Sequence, residues 1–531
     1  MTLANNLLAV LEANASRSSS SSAGEIDTIS TYKNAILANA AALDDFYGQS
    51  TADGISALAP RRLPHNHQVI QLRSKKTGSY SSPLLFTSYY ELLLFGAIDT
   101  RLTPTRSANC WLPAACFIKV QNSLEVALAL RIVTTLQATF TVRSAGHNPN
   151  PGFSSVGQQG IILDLGAVNQ ITVNHDKSVA SVGPGSTWDA VYGALGEFDL
   201  TVVGGRSAGV GVGGLLLGGW GMSHFSNFWG LACDNVVNYE VVLANSTIIQ
   251  VNANENAALK GGGPNFGIVT RFDLRTFPGS QLWYQVVVYN ASDKAAVMAA
   301  TVEVQEAMLL DDRIGIFVSD TPGSITAGML YRGSESPPGG AFEAFEGIAP
   351  LVVAIPPTIG TFQACAVALS LAGGERWQIG ALTVAMDASL YVELHDILAA
   401  VPNNASISLT YTYQPFSAQG VAQGLAHGGN SLNIAPENQA WLAFSTSWKD
   451  SALNDTAATL TTQLMTAVST AAAEKGKLMD LVFMNDSHSL QTPITSYGAA
   501  SVAFLRACSK EYDPEGVFQR LQNSGFLLVG V

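Results

Sequence analysis

The chain has 531 residues, a formal net charge of −13, 47% hydrophobic residues and only 13% charged residues. This length exceeds what one hydrophobic core usually organises, so two or more domains are expected. The acidic balance, without a basic stripe, excludes a typical nucleic-acid-binding protein. The uncharged run at 347–374 contains three prolines between short apolar pieces. It predicts buried core with a loop, and no membrane helix.

The N-terminal region, residues 1–109, gives no readable pattern beyond a serine-rich stretch at 16–22. Its start is a poor signal peptide, because Glu12 interrupts a short apolar patch that no Lys or Arg precedes. Localisation therefore stays open. Cys110 and Cys116 are close enough to pair, and buried free thiols are the alternative. No His or Cys group has metal-ligand spacing, so no metal site is predicted.

Residues 110–278 read as a dense α+β unit that glycines punctuate. In chain order it contains the strand ACFIKV, the helix SLEVALALRIVTTLQ, and the strands ATFTVR and GIILDL. A helix that Ser186 or Thr187 opens, a hairpin across Asn245 and the strand GIVTRFDLRTF follow. Residues 279–478 then alternate strands with alanine-rich helices, which predicts a second α+β domain. The last segment, 479–531, has a different character again.

Two glycine-rich stretches carry the chemical signal. The loop RSAGHNPNPG follows an alternating strand and holds His147, and VVGGRSAGVGVGGLLLGGWG follows about 60 residues later. Glycine lets backbone N–H groups approach an anion or a flat ring closely. Neither stretch has the spacing of a Walker phosphate loop or of a dinucleotide-binding fingerprint. Together with LKGGGPNFGIVT, they could clamp both ends of one diphosphate-bearing ligand.

With these loops, the phrases GLACDNVVNYEVVLANS and YDPEGVFQRL resemble the berberine-bridge-enzyme-like branch of the vanillyl-alcohol-oxidase superfamily, and in particular fungal FAD-linked oxidases of secondary metabolism. The resemblance implies an α+β fold: a two-subdomain PCMH-type FAD-binding domain and a substrate domain whose antiparallel sheet is covered by helices. The first would comprise 110–278 and the returning segment 479–531, and the second 279–478.

The resemblance also implies the cofactor contacts. In this family the histidine of the first loop bonds covalently to the 8α-methyl group of FAD, and His147 occupies that position. A covalent nitrogen substituent withdraws electrons from the flavin and helps it accept hydride. The other implied flavin contacts are Arg143, Ser144, Ala145, Gly146, Asn148, Gly205, Ser207, Val210, Gly213, Gly214, Gly218, Gly267, Ile268, Val269 and Asn485.

Two positions refine the expectation. Ser207 stands where many relatives have a cysteine that makes a second flavin bond, so a single attachment is expected. Val210 matches a position that influences oxygen access in the family, and a valine resembles the oxygen-reactive members.

The catalytic base is the least determined part. The strand SISLTYTYQPF places Tyr411 and Tyr413 on one face, and Tyr413 is the first candidate for base or substrate contact; packing on the sheet is the alternative. Relatives often carry a catalytic tyrosine where this chain has Phe483, and Tyr497 is a further candidate.

The predicted function is oxidation of a small secondary metabolite, at an alcohol or an activated C–H bond and including oxidative ring closure. Hydride would pass to flavin N5, and dioxygen would reoxidise the flavin to give hydrogen peroxide. The alternatives are a carbohydrate oxidase and a flavin-binding protein that has lost redox catalysis. No nucleic acid, membrane or metal is predicted as a partner, and the oligomeric state stays open.

Overall fold

The computed structural model describes residues 106–531 except 219–220, 256–261, 371–372 and 403–404, together with Asn34 and Leu37 of an N-terminal helix. Most of the predicted region 1–109, including the serine-rich stretch, lies outside the described residues. Within the described ranges, every helix is too short or too polar to span a lipid bilayer. All five cysteines are buried and none is in a disulfide, so Cys110 and Cys116 do not pair with each other.

A small parallel sheet begins the described chain. Its strands are β1 (Cys116–Lys119), β2 (Thr139–Arg143) and β3 (Gly160–Asp164), in the order β1-β3-β2. Helix α1 (Ser123–Thr135) packs in the same core, with Val126, Leu130 and Val133 fully buried. These residues recur at helical spacing, which is why this stretch buries one face as a helix. The Asn122 side chain accepts from the Glu125 N–H and caps the first turn.

A second, antiparallel sheet follows. It comprises β4 (Ile171–Val173), β5 (Val179–Val182), β6 (Leu200–Val202), β7 (Val236–Leu243), β8 (Ile248–Asn252) and β9 (Gly267–Pro278), in the order β4-β5-β9-β7-β8 with β6 on β9. The helices between them are α2 (Trp188–Gly196), α3 (Val212–Leu217) and α4 (Ser226–Trp229). The hairpin predicted across Asn245 is β7–β8, and Thr187 is the N-cap residue of α2.

The largest sheet has eight strands, and the chain enters it directly after β9. These strands are β10 (Gln281–Asn290), β11 (Ile314–Asp320), β12 (Ser324–Arg332), β13 (Pro350–Thr361), β14 (Arg376–Ala385), β15 (Ile407–Phe416), β16 (Gln439–Trp448) and β17 (Leu478–Met479). Their order is β13-β10-β12-β11-β15-β16-β14-β17. The accompanying helices are α5 (Lys294–Ala307), α6 (Phe362–Ala368), α7 (Ala388–Ala400), α8 (Ala418–Ala426) and α9 (Asn454–Glu474).

The two faces of this sheet have different roles because side chains alternate along each strand. One face packs under α5, α7 and α9 and forms a core that includes Val318, Leu442 and Phe444. The opposite face, here called the cavity face, presents Phe317, Ala443 and other residues to an internal cavity. The fold thus leaves one side of the sheet available for a ligand.

The uncharged run at 347–374 corrects one sequence expectation. It forms β13 and α6, and β13 is the edge strand of the large sheet, with Leu351 60% exposed and Ile359 48% exposed. The β13 part of the run is therefore an exposed edge strand, whereas α6 buries Phe362, Cys365 and Ala366 in the core as expected. Its prolines, which cannot donate to a ladder, are tolerated because an edge strand has one unpaired side.

The C-terminal segment contacts both parts of the molecule. Strand β17 pairs with β14, whereas α10 (Ala499–Tyr512) and α11 (Val517–Arg520) lead to residues that join the parallel sheet. The Phe140 N–H donates to the Leu521 carbonyl at 2.9 Å, and the Asn523 N–H donates to the Phe140 carbonyl at 2.7 Å. These bonds hold the end of the chain beside β2.

Candidate active site

A cavity of about 710 Å³ lies between the glycine-rich loops and the cavity face of the large sheet. This size falls in the range of roughly 300–1,000 Å³ that is usual for ligand sites. Its loop wall includes fourteen of the predicted positions: Ser144, Ala145, Gly146, His147, Asn148, Ser207, Val210, Gly213, Gly214, Gly218, Gly267, Ile268, Val269 and Asn485. The structure therefore brings together residues that are up to 341 positions apart in sequence (144 to 485).

His147 stands in a tight loop that begins where β2 ends. Gly146 takes a positive φ of 69°, which lets the backbone turn directly before the histidine. The Ser144 hydroxyl donates to the Pro184 carbonyl at 2.5 Å and fixes the loop against the next one. Burial and the nearby Arg106 guanidinium lower the pKa of His147 to about 3, so the ring is neutral at ordinary pH.

Residues 202–218 of the second glycine-rich stretch, here called the glycine segment, lie against this loop, and their glycines have different structural roles. A Cβ on Gly211 would come within 2.7 Å of the Ala145 Cβ, so this glycine permits close contact between the two loops. A Cβ on Gly214 would meet nothing within 4 Å, although Gly214 lines the cavity. The absence of a side chain at Gly214 leaves room for a flat group against the backbone.

The glycine-rich stretch LKGGGPNFGIVT, here called the third loop, and the C-terminal segment complete the wall. Residues 259–261 of the third loop lie outside the described residues, but Gly267 to Val269 line the cavity. A Cβ on Gly267 would come within 2.5 Å of Val241 Cγ1, so only glycine fits there. The Asn485 Nδ2 lies 3.4 Å from the Gly214 carbonyl oxygen and 3.3 Å from that of Leu215, which holds the C-terminal segment on the glycine segment.

Five predicted site residues do not line the cavity. Arg143 is 5% exposed and pairs with Asp164 at 2.6 Å, so it braces two adjacent strands. Gly205 packs on the Trp188 ring, where a Cβ would come within 2.4 Å of the indole. The three tyrosines Tyr411, Tyr413 and Tyr497 are each at most 1% exposed in hydrophobic cores.

The tyrosine assignment is therefore corrected. Alternation along β15 was predicted, but the face was reversed: Tyr411 and Tyr413 lie under the helices, and Tyr413 donates to the Tyr391 carbonyl at 3.2 Å. Thr412 and Gln414 are the residues of β15 that line the cavity. Tyr497 is excluded as a base for the same reason, since its hydroxyl is buried away from the cavity.

A polar network that the sequence did not reveal occupies the sheet side of the cavity. Arg206 donates to Oε1 of Gln414, and Nε2 of Gln414 donates to Oδ2 of Asp486 at 2.8 Å. The orientation of the Gln414 amide is fixed, because a guanidinium only donates and a carboxylate accepts. Asp486 is the one carboxyl group on the cavity lining in the described part of the chain, and burial raises its pKa despite the opposing charge of Arg206.

His224 is another cavity residue to which the sequence assigned no role. Burial lowers its pKa well below the ordinary value, with the guanidinium of Arg206 as a second cause, and the Arg206 backbone accepts a hydrogen bond from the ring. No spacing motif marks His224, Gln414 or Asp486, because they come from three distant segments. Only the tertiary structure brings them to one site.

Apart from this network, the cavity face is mixed in character. Val286, Phe317 and Ile379 are apolar, whereas the hydroxyls of Ser319 and Thr412 bond each other at 2.9 Å. Because these two hydroxyls hydrogen-bond to each other, they make this part of the wall only weakly polar. This lining fits an organic molecule with few charges.

Comparison with known proteins identifies the family. A family model described as an FAD binding domain matches residues 114–252. An FAD-dependent monooxygenase of Arthrobotrys oligospora is 34% identical over 465 residues, which cover 86% of this chain and 87% of that protein. The chain belongs to the family of fungal FAD-dependent oxidoreductases that includes this monooxygenase.

A further relative of this oxidoreductase and one solved structure of similar fold give context. The bifunctional solanapyrone synthase of Alternaria solani is 31% identical over 425 residues, covering 78% of this chain and 82% of that protein. The glucooligosaccharide oxidase of Acremonium strictum, at 16% identity, superposes with a TM-score of 0.66 over 79% of this chain and 94% of that one. The second likeness establishes the PCMH-type fold of the oxidoreductase alone.

The residues present fit FAD, the cofactor of this family. The open space at Gly214, the close loop contact at Gly211 and the tight turn at Gly146 expose backbone on this wall, here called the cradle. The cradle lies on one wall of the cavity and the cavity face on the other. The family of this oxidoreductase implies a small-molecule substrate.

Proposed function

We propose that this oxidoreductase binds FAD covalently through His147 and oxidises a small, weakly polar secondary metabolite. Residues 110–278 with 479–531 would form the cofactor unit, and 279–478 the substrate unit. The observation that carries the proposal is the shared cavity: the neutral ring of His147, the glycine cradle and the Asp486 network all line it. The contact set proposed for FAD is the fourteen lining positions given above.

A single covalent bond is proposed. Ser207 lines the cavity near His147 but has no thiol, so it cannot form a thioether. The Acremonium strictum enzyme carries, by its description, a 6-S-cysteinyl, 8α-N1-histidyl FAD, and it shares the fold. The histidyl half of that linkage is the half this chain can reproduce.

For the chemistry, we propose Asp486 as the proton acceptor. Bound FAD supplies the hydride acceptor, and dioxygen then takes up the electrons and leaves as hydrogen peroxide. Asp486 would take the substrate hydroxyl proton as the C–H bond breaks. Gln414 and Arg206 hold its carboxylate in place, and the apolar part of the cavity face excludes water around the reacting carbon.

The first experiment tests attachment. The wild type and His147→Ala are purified, precipitated with acid, and assayed for flavin fluorescence in the pellet. We expect the colour to stay with the wild-type polypeptide and to leave the variant. Flavin that leaves both proteins would refute the covalent bond, and a preparation that never binds flavin would refute the function.

The second experiment tests the reaction. Phenolic and polyketide alcohols are compared with xylobiose for release of hydrogen peroxide, and oxygen uptake is measured in parallel. We expect peroxide with the aromatic or polyketide alcohols and a one-to-one ratio to oxygen consumed. Turnover of xylobiose alone would favour the carbohydrate oxidase. Oxygen uptake without peroxide would favour the monooxygenase reaction that the names of several relatives carry.

A further inference from the structure

A short strap, residues 106–110, crosses beside His147 and joins the two parts of the molecule. The Arg106 N–H donates to the Gly146 carbonyl at 3.1 Å, and the Gly374 N–H donates to the Arg106 carbonyl at 3.1 Å. The Ala108 N–H donates to the Glu375 carbonyl at 2.9 Å. The backbone of Arg106 is thereby fixed between the His147 loop and the segment that leads into β14.

The Arg106 side chain is held as firmly as its backbone. Its guanidinium carbon lies 4.6 Å from the centre of the Trp377 ring, and Nη1 lies 3.2 Å from Nε2 of His147. A guanidinium has donors only, so Nε2 must be the accepting nitrogen and the ring proton sits on Nδ1. The Gly209 backbone accepts a hydrogen bond from the same ring, which agrees with this tautomer.

We propose that Arg106 is the positioning residue for covalent attachment of FAD: it occupies Nε2 of His147, holds the ring in one orientation and leaves Nδ1 as the nitrogen that bonds. The inference rests on the proposed attachment at His147. The reason is chemical: Nε2 already accepts from Arg106, so the new bond forms at Nδ1, which loses its proton as it bonds. An imidazolium, protonated on both nitrogens, could not bond in this way. A guanidinium at hydrogen-bond distance disfavours a second positive charge on the ring and fixes its plane.

The attachment reaction conserves atoms and electrons. A bond forms between Nδ1 of His147 and the 8α carbon of the flavin, while the Nδ1–H bond and one methyl C–H bond break. The two electrons and two protons released reduce the flavin itself. Dissolved dioxygen then reoxidises it and leaves as hydrogen peroxide, so no other reagent is needed.

The test measures attachment and not turnover. Wild type, Arg106→Met and Arg106→Lys are produced without flavin in a riboflavin-starved host, purified and incubated with FAD, and samples are acid-precipitated over time to follow pellet fluorescence. We expect Arg106→Met, which cannot donate, to attach FAD about tenfold more slowly. Arg106→Lys keeps a charged donor and should attach near the wild-type rate. Wild-type speed in Arg106→Met, or equal slowing in both variants, would overturn the proposal.

A matched control separates positioning from strap stability. Arg376 donates to Oδ1 of Asn109 at 2.9 Å and secures the strap without touching His147. Arg376→Met should attach FAD at the wild-type rate, and slowing equal to that of Arg106→Met would overturn the proposal. A wild type that releases all its flavin would instead refute attachment itself, which is a distinct result.

A pH series gives a second readout that persists if Arg106→Met folds less well. Burial and Arg106 are the two causes that lower the pKa of His147, and Arg106 is the charged group among the described residues that acts on the ring. Without Arg106, the ring should protonate at higher pH, and attachment should slow on the acid side. Wild-type and Arg106→Met rates with the same pH dependence would count against the proposal.

Discussion

Two features of the Asp486 site act on its pKa in opposite directions. Burial raises its pKa, and the positive charge of Arg206 acts in the other direction. A base with a raised pKa is protonated at a higher pH than an ordinary carboxyl. Activity should therefore be lost, as pH falls, earlier than for an exposed aspartate, and be fully present above the raised pKa.

The Asp486→Asn variant tests this assignment. We expect the rate of flavin reduction by substrate, measured anaerobically in a stopped-flow instrument, to fall by about 10²–10⁴-fold, and the loss of rate on the acid side to disappear. Asp480→Asn, at an exposed position six residues earlier, is the control and should behave as wild type. A variant that keeps both the rate and its acid dependence would exclude Asp486 as the base.

For individual residues, sequence motifs predicted only part of the candidate site. Motif position was enough to predict that His147, Val210 and Asn485 share a site, because the family motif fixes their order. It failed at Tyr413, because a period of two predicts two faces without saying which one meets the ligand. It could not find Asp486 or Gln414, since no local pattern links two segments 72 residues apart.

Helix α3 allows a matched test of the cradle. Gly214 and Gly196 both lie in helices, and a Cβ at either would meet nothing within 4 Å. Alanine should add roughly 0.5–1 kcal/mol of stability at each position through helix propensity. Only Gly214→Ala should lower the flavin content, because its methyl group would enter the cavity; equal flavin content in both variants would contradict the cradle.

Strand β11 and helix α7 share a buried pair that offers a stability test. Nδ1 of His395 lies 2.8 Å from Oδ1 of Asp320, and the two side chains are 3% and 0% exposed. Burial raises the pKa of Asp320, and its Oδ2 is among the buried atoms without a hydrogen-bond partner in the described chain. His395→Ala should lower the free energy of unfolding by about 3–5 kcal/mol by leaving Asp320 without its partner.

The pH dependence of that loss has a defined sign. An acid whose pKa is higher in the folded state binds more protons when folded, so stability falls as pH rises from the unfolded to the folded pKa. Urea unfolding of His395→Ala between pH 4 and 8 should show this fall more steeply than wild type, with exposed His175→Ala as the control. A pH-independent difference would argue against a charged Asp320.

Helices and strands were predicted from the sequence more completely than the site residues. The spacing of Val126, Leu130 and Val133 marks α1, and alternation marks β2, because each pattern follows from the geometry of one buried face. The exception was β13, where an uncharged run suggested burial. Apolar composition indicates that burying the side chains would be favourable. Whether a strand lies at the edge of a sheet depends instead on the topology of the whole sheet.

For the whole molecule, bound FAD should increase the stability of the folded state, because it would contact both walls of the cavity. In His147→Ala the flavin would be dissociable, so its Tm should rise with added FAD, by an amount equivalent to about 2.7 kcal/mol at one hundred times Kd. The wild type, with its flavin attached, should show no such rise. Differential scanning fluorimetry of both proteins checks this, and matching responses would contradict covalent binding in the wild type.

The cavity face belongs to the large sheet, whereas the cradle belongs to the loops and helix α3 on the opposite wall, and this separation has a practical consequence. Val286, Phe317, Thr326 and Ile379 reach the cavity from the large sheet, whereas the neighbours of His147 come from the loops opposite. Combinatorial randomisation of those four positions should therefore redirect the enzyme to new molecules while every clone still carries its yellow prosthetic group. Colour would then report correct assembly in a colony screen, independently of which compound each clone transforms.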